Sequence, residues 1–65
     1  MAHLTPYPRQ LLGAITRYCG DHDMAESRFG RQAVGDSRLV ADLRKGRDLR
    51  PATVARVRAF LAREA

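Results

Sequence analysis

Apolar residues recur along this chain at helical rather than strand spacing. Leu11, Leu12, Ile15, Tyr18 and Cys19 follow the i, i+4, i+7, i+8 pattern of one helix face. Pro8 suits a first helical position, where its missing N–H is not needed, and Pro6 and Pro8 bracket Tyr7 and keep a helix from starting earlier. Gly20 stands directly after the stripe, where a left-handed C-terminal residue is expected. The pattern predicts a first helix over about 8–19 behind a loose lead-in of residues 1–7. Gly13 lies inside that helix at a cost of up to about 1 kcal/mol relative to alanine, and close helix packing is the expected reason for it.

Asp21, His22 and Asp23 form a polar connector. A second helix is predicted from Ala25 to about Ala33, with Phe29 and Ala33 on one face. Asp23, followed three residues later by Glu26, resembles a capping box with Asp23 as the cap. Val34 and Gly35 close this helix, Gly35 supplying the positive φ of a tight turn. Asp36 or Ser37 caps a third helix, Leu39, Val40 and Leu43 form its apolar stripe, and Arg44 and Lys45 occupy its last turn. Gly46 ends it. Pro51 opens a fourth helix lined by Val54, Val57, Phe60 and Leu61, with Arg56 and Arg63 pointing away. No strand pattern intervenes, so the expected fold is all-α: a compact bundle of about four short helices in one domain spanning 1–65.

Size narrows the function. A chain of 65 residues buries only about 60% of its unfolded surface, so its core is thin and a deep catalytic pocket would consume it. No Ser-His-Asp or Cys-His constellation, phosphate loop or HExxH motif is present, and a non-enzyme is expected. Cys19 is the one cysteine and reads as a small buried apolar residue, while His3 and His22 read as surface histidines. Three consecutive residues such as Asp21-His22-Asp23 converge poorly on one ion, so neither metal nor cofactor is expected. No apolar run approaches the ~20 residues of a membrane span, and a cytoplasmic setting is the expectation.

Charge supplies the positive clue. The net charge is +5, and eleven of the twelve cationic residues are arginine. Residues 1–35 carry four arginines against three acids, whereas residues 36–65 carry eight cations against four. Such an asymmetry suits a polyanionic partner, nucleic acid or an anionic membrane surface. Glycines and helix caps interrupt the apolar faces, which favours a folded bundle over a membrane-surface peptide. Tyr7 and Tyr18 do not interleave with cations, which disfavours a stacking single-strand binder.

The segment Ala25 to Gly46 has the properties of two short helices joined by a tight turn, the second polar at its start and basic at its end. Gly30, beside Phe29, provides the small residue required where two such helices cross. The stretch Phe29-Gly30-x-x-Ala33-Val34-Gly35-Asp36-Ser37-Arg38-x-Val40-x-x-Leu43-x-x-Gly46 resembles the helix-turn-helix of lambda-repressor-like, Cro/CI-type regulators. In that family a small residue, usually alanine, sits at the position of Gly30, apolar residues at Val40 and Leu43, and a closing glycine at Gly46. Two positions depart from the pattern: the turn glycine comes one residue later, as Gly35 after Val34, and Ala25 stands where a Ser or Thr cap is usual.

The resemblance implies that Asp36, Ser37, Arg38 and Asp42 lie on the exposed side of a recognition helix. Asp36 would mainly cap. Ser37 would donate to a phosphate or a base edge, and Arg38 would pair with O6 and N7 of guanine. Asp42 would either accept from cytosine N4 or form an i, i+4 pair with Arg38, the pairing being favoured. Lys45, Arg47 and Arg50 after that helix, and Arg28 and Arg31 on the preceding one, would join Asp36 along the DNA backbone, positioning without reading sequence. The expected function is a sequence-specific double-stranded DNA-binding transcriptional regulator, a repressor by promoter occlusion, acting as a homodimer, with Phe60 and Leu61 serving either as its interface or as core. The alternative is a small helical protein-interaction module, such as an antitoxin or adaptor, which predicts an exposed apolar patch on the fourth helix.

Overall fold

The fold comes from a computed structural model that describes residues 7–64, with the backbone alone for Tyr7, Pro8 and Glu64. The expectations for residues 1–6, namely the lead-in, Pro6 and His3, lie outside the described residues. The elements are α1 (Tyr7–Asp21), α2 (Glu26–Val34), α3 (Leu39–Arg44) and α4 (Pro51–Glu64). No strand occurs among the described residues, and the all-α expectation holds. The radius of gyration, 11.2 Å, matches the roughly 11 Å of a collapsed chain of this length.

Each helix contributes its apolar stripe to one core. Leu11, Ile15, Tyr18 and Cys19 come from α1, Phe29 from α2, Leu39, Val40 and Leu43 from α3, and Val54, Val57 and Phe60 from α4. At the centre, three rings meet edge-on: Tyr18 to Phe29 at 5.6 Å, Tyr18 to Phe60 at 5.8 Å, and Phe29 to Phe60 at 5.3 Å between centroids. This geometry sets the positive ring edges against negative faces and adds to the free energy of burial. Of the two roles open to Phe60, core or dimer interface, it takes the core one, while Leu61 remains partly exposed. Both α3 and α4 pack on α1 and α2, but they do not approach each other. The outer side of α3 is thus left uncovered by α4.

The end of α1 differs from the expectation. Gly20 is helical, and the left-handed residue is Asp23, at φ 52°. The Asp23 N–H donates to the Gly20 carbonyl at 3.4 Å and the Met24 N–H to the Cys19 carbonyl at 2.9 Å, the paired bonds that close a helix through a left-handed residue. Aspartate tolerates this conformation better than most side chains. Partly buried Met24 then packs on the core. Asp23 is consequently not the cap of α2: Ala25 takes that position in extended conformation without a side-chain bond, and Glu26 points to Arg44 instead. Tyr7 is already helical, so α1 begins one residue earlier than expected. Gly13 is exposed, and a Cβ there meets nothing within 4 Å, so close packing does not explain it.

Gly30 behaves as expected of a crossing point. It is buried, and a Cβ built on it would overlap the Asp36 carbonyl oxygen and come within 3.0 Å of the Leu39 Cβ. Gly35 adopts φ 75°, its N–H donates to Arg31 at 3.0 Å, and the next N–H, of Asp36, donates to the Gly30 carbonyl at 3.1 Å. The turn between α2 and α3 is thereby pressed onto the Gly30 backbone.

Candidate nucleic-acid interface

The short helix α3 is amphipathic in a simple way. Leu39 and Val40 are 1% exposed and Leu43 5%, whereas Ser37, Arg38, Ala41 and Lys45 are exposed and Asp42 is half-buried. The helix begins at Leu39, later than expected, because residues 37–38 form a turn. Asp36 organises that turn: its Oδ1 accepts the Arg38 N–H at 2.9 Å, and its carbonyl accepts the Leu39 N–H at 3.2 Å. The capping role expected of Asp36 or Ser37 thus falls to Asp36. Its carboxyl is held below the ordinary aspartate range, first by that N–H and then by Arg47.

The far end of α3 closes through Gly46, at φ 94°. The Gly46 N–H donates to Leu43 and the Arg47 N–H to the Asp42 carbonyl, both at 3.0 Å. This closure lays the residue after the glycine beside the third-last residue of the helix. Here that contact is ionic. Arg47 Nη1 lies 2.8 Å from Asp42 Oδ2 and 3.3 Å from Asp36 Oδ2, so one guanidinium spans both ends of α3. The two carboxylates raise the Arg47 pKa above its ordinary value, Asp36 having the larger effect. Asp42 therefore pairs with Arg47 and not with Arg38. The expected i, i+4 pair does not form, because the backbone reversal at Gly46 delivers a nearer cation. The guanidinium of Arg38 makes no hydrogen bond or ion pair among the described residues and stays in solvent.

A second ion pair joins α3 to α2. Arg44 grips Glu26 with both terminal nitrogens, Nη2 lying 2.8 Å from Oε2. The Glu26 carboxyl is lowered chiefly by this hydrogen bond. The pair lies next to Cys19, whose thiol is pushed up first by burial and then by the Glu26 charge.

Of the expected contact residues, the structure brings Asp36, Arg38, Asp42 and Arg47 together, the first two through the Arg38 N–H. Arg28, Arg31, Lys45 and Arg50 are exposed, and their side chains form no hydrogen bond or ion pair among the described residues. Sequence reasoning missed Arg47 as an intramolecular partner. The signal was Gly46, since a helix closed by a left-handed glycine makes positions 42 and 47 neighbours. For Asp36 with Arg47, or Glu26 with Arg44, separated by 11 and 18 positions, no local signal exists. Sequence reasoning also missed the stacking of His22 on Tyr18, with centroids 4.1 Å apart, although helical i, i+4 spacing foreshadows it.

Asp21, His22 and Asp23 do not form a metal-ligand group, and no group of three His, Cys, Asp or Glu side chains suited to an ion occurs among the described residues. No helix among these residues is long and apolar enough to cross a membrane. No protein-family model, curated protein or solved structure gives a significant match to the chain.

Proposed function

We propose that this protein is a helix-turn-helix DNA-binding regulator, similar in plan to the lambda-repressor-like domains, in which α2 and α3 form the motif and α3 enters the major groove. One observation carries the reading: Ser37 and Arg38 are exposed at the start of a short helix whose Leu39, Val40 and Leu43 are buried behind it. That is the arrangement a recognition helix needs, with base-reading side chains forward and an apolar brace behind. Arg38, whose guanidinium forms no hydrogen bond or ion pair among the described residues, is the residue assigned to guanine. Ser37 contacts a base edge or phosphate, and exposed Arg28, Arg31, Lys45 and Arg50 serve the DNA backbone. The chain acts by binding and not by catalysis. It acts as a repressor, because promoter occlusion requires nothing beyond occupancy. A homodimer follows from arithmetic: one short helix reads few bases, and two half-sites about 34 Å apart double them.

Selection of bound duplexes from a random pool tests this reading. An enriched motif, lost in part by Arg38→Ala, is the expected result. Absence of any enriched motif at moderate salt overturns specific readout.

A second reading has its own observation. Two adjoining grooves between α1 and α4, of about 340 and 420 Å³, share Ala14 and the partly exposed Leu61. An apolar surface involving α4 is what a protein-interaction module would present. Retention of a partner protein at high salt, with no duplex binding at low salt, would favour it.

A further inference from the structure

The placement of Asp42 raises a physical difficulty for any protein that brings α3 to DNA. A carboxylate on the exposed side of a groove-entering helix is repelled by phosphates on both sides. The surroundings of Asp42 resolve it. Its Oδ2 is held by Arg47 at 2.8 Å, while its Oδ1 has no hydrogen-bond partner among the described residues. Arg47 is held in turn by Asp36 Oδ2, and Asp36 Oδ1 is fixed on the Arg38 backbone. The chain of contacts therefore ends in one uncommitted acceptor in the first turn of α3, with its negative charge offset by an attached guanidinium.

We infer that Asp42 reads an exocyclic amino group in the major groove, that of cytosine N4, and that Arg47 is the positioning residue that orients and neutralises it rather than a contact to phosphate. The inference rests on the DNA-binding reading above. Its chemistry is that of the groove: cytosine presents an amino donor there, and a carboxylate is an acceptor only. Stability does not account for the cluster, since exposed ion pairs contribute little to folding. Arg47 and Asp36 are 45% and 37% exposed and Asp42 25%, so both pairs remain accessible to solvent. An arginine placed to grip phosphate would be free, as Arg50 and Lys45 are. Arg47 is instead committed through Nη1 to two carboxylates, which offset the charge it could offer a phosphate.

The test compares the full chain with Arg47→Ala, Asp42→Ala and the double variant, on the selected duplex, on single-base substitutions of it, and on a random duplex across a salt series. Thermal unfolding of each variant establishes that it is folded. Arg47→Ala and Asp42→Ala should each reduce discrimination at the same single cytosine-containing base pair, from roughly tenfold towards unity. The double variant should lose no more than either alone. Binding of Arg47→Ala to the random duplex should keep the wild-type salt slope. The inference is overturned if Arg47→Ala weakens every duplex alike and lowers the salt slope by about 0.9, the signature of a lost phosphate contact. It is overturned equally if Asp42→Ala leaves base preference unchanged. A wild-type chain that binds no duplex sinks the DNA-binding reading itself, and is told apart from failure of the inference because no variant is then needed.

Discussion

The carbonyl oxygen of Asp36 occupies the space that a Cβ on Gly30 would fill. The same two residues are joined by a hydrogen bond from the Asp36 N–H to the Gly30 carbonyl, at 3.1 Å. The turn into α3 is thus seated on bare backbone, more tightly than the alanine usual in the resembled family would allow. Gly30→Ala should destabilise the chain by about 1–3 kcal/mol, as overpacking against a backbone atom does. Urea unfolding measures the loss. Because Asp36 must shift, the variant should also lose protection of the Arg38 amide in hydrogen exchange, and full retention of both would contradict the packing described.

Gly13 and Gly20 give the opposite expectation. Both are helical and exposed, and a Cβ on either meets nothing within 4 Å. Replacement by alanine restricts the unfolded chain at no steric cost, so each variant should gain about 0.4–1 kcal/mol. A lower denaturation midpoint for either would mean that the outer face of α1 is in contact with something.

Acid should weaken the fold through identifiable carboxylates. Glu26 and Asp36 are both held below their ordinary values, by Arg44 and by the Arg38 N–H respectively. A carboxyl with a depressed folded-state pKa contributes stability that is fully present above its unfolded value, about 4, and is lost as pH falls through the lower folded value. The thermal midpoint should be flat from neutral pH to about 5 and fall below about 4. Glu26→Gln should flatten that fall. The change is small because the pair with Arg44 is exposed and screened.

Cys19 is 5% exposed, and burial raises its thiol pKa. Both effects suppress the thiolate that reacts with disulfide reagents. Labelling in native buffer should follow the rate of unfolding and accelerate steeply near the denaturation midpoint. Rapid labelling of the folded chain would show that the core around α1 opens independently.

On the proposed DNA surface, Arg38 and Lys45 should behave differently. Arg38→Ala should cost about 1–3 kcal/mol at one base pair, the worth of a bidentate contact to guanine. Lys45→Ala should weaken all duplexes alike and reduce the salt slope by about 0.9. Electrophoretic or fluorescence titrations across a salt series separate the two.

Much of the architecture is local and was readable in residue order. The four apolar stripes, the proline opening α4 and the glycines at 35 and 46 each act within one or two turns of chain, where spacing and backbone freedom decide the outcome. Gly30 was legible because a crossing of two short helices demands a small residue. The exposed positions of Ser37 and Arg38 followed from the burial of Leu39, Val40 and Leu43 behind them.

The rest was set by which groups meet across the fold. Local propensity favoured Gly20 as the end of α1, yet the helix runs on to Asp21, Asp23 takes the left-handed turn and Met24 packs on the core. Local pairing rules gave Asp42 to Arg38, yet the reversal at Gly46 brought Arg47 to it and to Asp36 together. Periodicity and turn chemistry are properties of neighbouring residues and therefore travel with the sequence. The partner of a charged side chain is whichever opposite charge the folded backbone brings nearest, and that distance exists only once the helices have packed.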